Sequence, residues 1–392
     1  MTAQALRGVA AVVGVGESAY TRGGTDGVTD VSVALDASTA ALADAGLTPG
    51  DVDGLVPPYM GATAEELIAN LGLTGVRFCA QVNLGGASPV AALGYAASAV
   101  AAGLARTVLV PVGWAGYSGR RARALSAAEP TTSYRKAVRG LYAPNGVHSP
   151  SQVYAQVARR HQHEFGTPAE ALGRVAVNTR AHAVATPNAI MRKPMALADH
   201  LASRWIVEPY RLLDCCMDSD AGAAVVVTAA DDPRHTGRAR AVLDGWADAR
   251  PSEPLDMYNR ADFFETGLTT AAPAAWAMAG VGPSDMDFAQ IYDCFTFEVL
   301  QQLEEAGFCG RGESGDFVLS GHTDPGGRLP INTHGGLLSQ AHALGMNHVV
   351  EAVRQLRHEA GPRQVDGARL GVVTGWGDLG DGSIAVLRRE GR

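Results

Sequence analysis

Apolar and polar positions along the chain follow two rhythms. VAAVVGVGES (9–18) is a Val-rich run closed by glycine, which predicts a buried strand. DVSVALDASTAALADAGL (30–47) spaces its apolar residues as a helix does and stops near Gly46 and Pro49. DVDGLVPPY (51–59) predicts a short strand. Gln81 to Gly86 leads into an Ala-rich helix reaching about Ala102, and RTVLVPVG (106–113) predicts the next strand. This alternation predicts an α/β fold with a mainly parallel sheet. From Gly116 to about Ile206 the pattern loosens, with SPSQVYAQVARRHQHEF (149–165) helical, and the stretch predicts a lobe outside the sheet. AGAAVVVTAA (221–230) and RARAVLDGWAD (238–248) return to strand pattern. TTAAPAAWAMAGV (269–281) predicts a helix, and FAQIYDCFTFEVLQQLEEAGF (288–308) a strand breaking into a helix.

The second cycle repeats the first. Val82-Asn83-Leu84-Gly85-Gly86 opens a helix that leads to VLVPVGWAG, and Ile331-Asn332-Thr333-His334-Gly335-Gly336 opens one that leads to LGVVTGWGD. Shared order of strand, Asn, Gly-Gly and helix predicts an internal duplication. Two such halves packed back to back give a five-layer αβαβα arrangement. The division this predicts is 1–115 with 207–235 for the N-terminal half, 116–206 for the inserted lobe and 236–392 for the C-terminal half.

Composition narrows the class. Hydrophobic residues make up 46% and charged residues 18% of 392, as in a well-buried globular enzyme. The net charge of −8 argues against a nucleic-acid surface but not against a local arginine grip on phosphates. Five scattered cysteines without CxxC spacing predict a reduced, cytoplasmic protein. No leader pattern opens the chain, and its apolar runs fall short of a membrane span.

Four stretches carry a resemblance to the thiolase superfamily, and within it to the lipid-transfer-protein or sterol-carrier-type thiolases. They are QVNLGGASPVAALGYAASAVAAG, IMRKPMALADHLASRWIVEPYRLLDCCMDSDAGAAVVV, YDCFTFEVLQQLEEAGF and NTHGGLLSQAHALG. The resemblance implies the thiolase fold and places His342 at the family's loop histidine. It also exposes two losses. The nucleophilic Cys falls at Gly86, and the loop VVTGWGDLGDG holds no second catalytic Cys. The sterol-carrier-type His-Asp-Cys-Phe motif reads Tyr292-Asp293-Cys294-Phe295. The chain therefore resembles the thiolase-like aldolases of bacterial steroid side-chain degradation. Those cleave a β-hydroxyacyl-CoA, such as a 17-hydroxy steroid acyl-CoA, to a ketone and propionyl-CoA, and they work with an OB-fold partner of the DUF35 type. A tyrosine is expected in them where this chain has His342.

Retro-aldol cleavage needs a base for the β-hydroxyl, a cradle for the thioester enolate and an acid for the α-carbon. Tyr292 and His342 are the candidates for the proton work, and either could instead be a packed structural residue. The resemblance makes the backbone N–H groups of Gly86 and Gly377 the candidate oxyanion hole. His334 and Cys294 are possible additional residues, and His348 reads as core or surface. Arg120, Arg121 and Arg123 could grip the phosphates of coenzyme A or form a solvated loop face. No metal and no resident cofactor is expected, since coenzyme A arrives with the substrate. A homodimer and a DUF35-type partner are expected. Rival readings are a thiolase-type acyltransferase using Cys294 and a non-catalytic scaffold subunit.

Overall fold

A computed structural model describes residues 3–23, 27–120 and 132–391. The first half runs β1 (Ala10–Glu17), α1 (Asp30–Ala45), β2 (Gly54–Leu55), α2 (Ala64–Leu71), β3 (Phe78–Cys79), α3 (Ser88–Ala101) and β4 (Thr107–Ala115). Local chemistry sets these limits. Thr29 and Ser32 form a capping box at the start of α1, and Gly46 ends it in the left-handed conformation. The excursion follows with α4 (Ser133–Ala137), α5 (Pro150–Phe165), α6 (Ala169–Val184), α7 (Leu197–Ala202) and a hairpin of β5 (Trp205–Val207) and β6 (Tyr210–Arg211). The chain re-enters the sheet as β7 (Asp220–Ala229). The second half is β8 (Arg240–Ala249), α8 (Gly267–Ala279), β9 (Phe288–Gln290), α9 (Thr296–Glu305), α10 (Ser314–Leu319), α11 (Met346–Arg357), β10 (Leu370–Gly377) and β11 (Asp381–Glu390).

The strands form one sheet in the order β3-β2-β4-β7-β1-β8-β11-β10-β9. The duplication is visible in it. β2-β4-β7-β1 and β9-β10-β11-β8 have the same order and the same sequence of parallel, antiparallel and antiparallel pairings. The halves join where β1 pairs with β8 at Ala11 and Val12. The expected mainly parallel sheet is not what forms. Parallel pairing is confined to the outer strands, because β7 and β11 each return antiparallel to the strand before them in their half.

Alternation along the strands builds the layers. Ala10 and Val12 enter a central core with α3 and α11, while Ala11 and Val13 face α1 on the other side. Along β11, Ala385 and Leu387 enter the same central core, and Ile384 and Val386 face α8. Helices α3 and α11 each touch strands of both half-sheets. That is the five-layer thiolase arrangement, with the two Gly-Gly turns brought to the middle.

The second Gly-Gly departs from expectation. It does not open the long helix directly. Gly336–Gln340 makes one wide turn, Ala341 is extended, and α11 begins only at Met346. His342 thus lies in a break between two helical pieces.

Candidate active site

The first Gly-Gly turn is a 3-10 turn, Gly85–Ala87, directly before α3. Ser88 Oγ accepts from Leu84 N at 2.9 Å, and Ser383 Oγ donates to Ala87 O at 2.7 Å, so the turn is tied to both α3 and β11. The end of β10 lies against it: a Cβ built on Gly377 would sit 1.8 Å from Leu84 O and 2.9 Å from Gly86 N. The two candidate oxyanion glycines therefore adjoin. A Cβ on Gly86 would sit 2.2 Å from both Cζ and Oη of Tyr292. The phenol occupies the direction in which a nucleophile at this position would project.

Tyr292 is held from several sides. Gln302 Nε2, on α9, donates to the Tyr292 carbonyl at 2.7 Å, and Gln302 Oε1 accepts from Thr374 Oγ1 at 2.8 Å. The Asn332 side chain accepts from Ile291 N at 2.7 Å and donates to Ile291 O at 2.9 Å, acting as one more rung beside β9. Tyr292 Oη lies 3.4 Å from His342 Nε2. His342 N donates to Ser219 Oγ at 2.7 Å, and its ring lies 5.9 Å from that of Trp114.

Burial favours the uncharged form of both groups. It pushes the Tyr292 phenol well above its ordinary range, with the neighbouring thiols and Asp293 adding to the effect. It lowers the half-buried His342 to about 4, against the pull of Asp218. Near neutrality the pair is therefore a protonated phenol beside a neutral imidazole. The first can give a proton, and the second can take one.

Cys294 is buried, and burial followed by the charge of Glu298 raises its thiol well above the usual range. A reactive cysteine needs the opposite environment. His334 is 1% exposed and meets the ring of His348 at 4.8 Å rather than the Tyr292–His342 pair. His348 proves to be core: its side chain is fully buried in the first turn of α11, with Nε2 3.1 Å from Asp293 Oδ1. Arg121 and Arg123 lie outside the described residues, as does the side chain of Arg120.

No sequence pattern announces the polar cavity of about 140 Å³ beside Gly85, lined by Asn83, Tyr134, Arg250, Asp378 and Asp381 among others. Burial raises Asp378 to about 6 and Asp381 to about 7, while Arg250 opposes both. Arg250 donates to Asp381 Oδ2 at 2.8 Å and to Asn83 O at 2.8 Å. Asp378 itself takes up the left-handed backbone, at φ 46°, a conformation that non-glycine residues adopt mostly at constrained sites.

The fold and the phenol–imidazole pair set against Gly86 define a thiolase-like protein. Comparison with known proteins places it in a family. Residues 250–389 match the family described as Thiolase C-terminal domain-like. The chain is 38% identical to a steroid side-chain-cleaving aldolase of Thermomonospora curvata over 366 residues, covering 90% of this chain and 91% of that protein. It is 38% identical to a 17-hydroxy-3-oxo-4-pregnene-20-carboxyl-CoA lyase of Mycobacterium tuberculosis over 363 residues, covering 90% and 92%. The solved Ltp2-ChsH2(DUF35) aldolase superposes with a TM-score of 0.90 at 36% identity, covering 98% of each chain. The chain belongs to this family of thiolase-like, side-chain-cleaving aldolases.

Proposed function

We propose that the protein is an aldol lyase that cleaves a β-hydroxyacyl-CoA with a tertiary alcohol, of the 17-hydroxy steroid side-chain type, to a ketone and propionyl-CoA. One observation carries the chemistry: Tyr292 Oη stands where a side chain at Gly86 would project, 3.4 Å from His342 Nε2. That leaves no room for an acyl-enzyme and puts an acid and a base together.

Neutral His342 takes the proton of the β-hydroxyl. The Cα–Cβ bond breaks as the carbonyl forms, and its electron pair passes to the thioester enolate. The amides of Gly86 and Gly377 stabilise that oxyanion. Tyr292 gives its proton to the α-carbon, and the imidazolium returns a proton to the phenolate. The net change moves the hydroxyl proton to the α-carbon, so the step balances without an oxidant or reductant. Coenzyme A takes part only as the thioester carrier.

The substrate class and the partner rest on the relatives. The name of the mycobacterial lyase specifies a 17-hydroxy steroid carboxyl-CoA, and that of the solved aldolase includes a DUF35 component. In our reading this chain works as a homodimer with a DUF35-type OB-fold partner in the cytoplasm. No helix among the described residues is long and apolar enough to cross a membrane. The test is incubation with a 17-hydroxy steroid acyl-CoA, with and without such a partner, followed by mass spectrometry. A 17-ketone and propionyl-CoA in equal amounts are expected. Unchanged substrate under both conditions would reject the assignment.

A further inference from the structure

Tyr292 and His342 come from different segments, separated by 50 positions. Nothing in either segment alone fixes their distance. The side chain that links the two segments is Asp293. It is fully buried, and its carboxylate accepts from Leu337 N at 2.7 Å and from Leu338 N at 3.3 Å. Those amides belong to the wide turn Gly336–Gln340 that delivers the chain to His342. Asp293 follows Tyr292 directly, so one carboxylate spans the two segments. The fit is close: Gly336 has φ +56°, and a Cβ on it would lie 1.9 Å from Asp293 Oδ2.

A third element closes the arrangement. His348 Nε2, on α11, lies 3.1 Å from Asp293 Oδ1, and its ring is 6.3 Å from that of Tyr292. The His334 ring stands edge-on to His348 at 4.8 Å. The His348 contact is close packing rather than a hydrogen bond. A carboxylate this deep is costly unless charge-assisted hydrogen bonds compensate it, and the amides of Leu337 and Leu338 supply them. Spending it on the turn before His342 also explains why the helix expected after Gly335-Gly336 is interrupted.

We propose that Asp293 is a positioning residue, with His348 packed against its carboxylate, that sets the separation between Tyr292 and His342. Its role in turnover rests on the lyase reading above. The negative charge beside the phenol also helps to keep the Tyr292 proton in place.

The test uses the full chain with Asp293→Asn and, separately, His348→Gln. Asn keeps the shape but cannot accept at both positions. Steady-state kinetics should show kcat falling about tenfold to a hundredfold while KM stays within about threefold, because a shift of order 1 Å in a reacting group costs that much. Fluorotyrosine placed at position 292 gives a readout that does not depend on activity. Its fluorine resonance should move or broaden in both variants, with the thermal midpoint of at least His348→Gln near that of the parent. Native kcat and an unmoved resonance in both variants would overturn the proposal. Were the parent itself unable to cleave the substrate, the lyase reading would fall, and the fluorine resonance would still decide the positioning claim.

Discussion

The phenol of Tyr292 fills the space a side chain at Gly86 would need, with Cζ and Oη both 2.2 Å from an ideal Cβ there. In the lyase reading, the absence of a side chain at Gly86 and the tyrosine at 292 are one structural change. A cysteine at 86 would have to displace the phenol of Tyr292 from its present place. In our lyase reading, the scaffold has exchanged a covalent group in the turn before α3 for a proton-transfer group after β9.

Gly86→Ala is the direct probe of that exclusion. The added methyl collides with the phenol and with Trp376 O, 2.4 Å from the Cβ position. Overpacking of this kind costs about 1–3 kcal/mol of stability. Displacing Tyr292 by about 1 Å should lower kcat/KM by roughly a hundredfold. Thermal melts and steady-state kinetics check both. Gly86→Cys should give a thiol that resists alkylation until Tyr292→Ala opens the space. Free alkylation in the single variant would show that the site has room after all.

How much of this is legible in the sequence depends on the range of the forces involved. β1, α1, α3 and β7 follow from local periodicity and caps, and the Gly-Gly repeat exposes the duplication. Tyr292 and His342 are legible through motif resemblance, and the fold brings them within 3.4 Å. The break before α11 is not, because a carboxylate 44 positions away binds the turn at Leu337. The place of His348 is hidden for the same reason, since its spacing from His342 implies two turns of helix only if the helix is unbroken. The cavity at Asp378 depends on Arg250 at the end of β8 and Tyr134 in the lobe, which no local pattern joins.

The acid limb of activity should report His342. Burial lowers this imidazole to about 4, so its active neutral form dominates at every pH above that value and is lost only as pH falls through it. A kcat/KM profile should therefore show no break from His342 near the ordinary imidazole value of about 6.5. His342→Gln should cost about 10²–10⁴-fold, the usual worth of a general base. Any break near 6 that survives in His342→Gln belongs to the Asp378 cavity, where burial raises the carboxyl to about 6. A limb near 6.5 that vanishes with His342→Gln would contradict the buried, neutral imidazole.

Thiol reagents separate the lyase reading from acyl transfer. Cys294 is 8% exposed with a thiol raised by burial, whereas Cys79 is exposed. Iodoacetamide on the folded protein should mark Cys79 and spare Cys294, with activity retained, as peptide mapping will show. Labelling of Cys294 that tracks with loss of activity would revive a covalent mechanism.

Glu298 should make stability depend on pH. It is fully buried on α9, both its oxygens lie 3.0 Å from Tyr210 Oη, and burial raises its carboxyl to about 8. The folded chain therefore keeps a proton that the unfolded chain releases above about 4.5. The contribution to stability is whole below that value and is lost progressively as pH rises through 8. Glu298→Gln removes the titration and keeps an acceptor for Tyr210. The variant should match the parent near pH 5 and be more stable by roughly 3–4 kcal/mol near pH 8, since each pH unit across which the folded chain holds its extra proton costs it about 1.4 kcal/mol. Urea denaturation of both chains at the two pH values measures the difference. A gap that stays constant with pH would mean that Glu298 does not hold its proton in the folded protein.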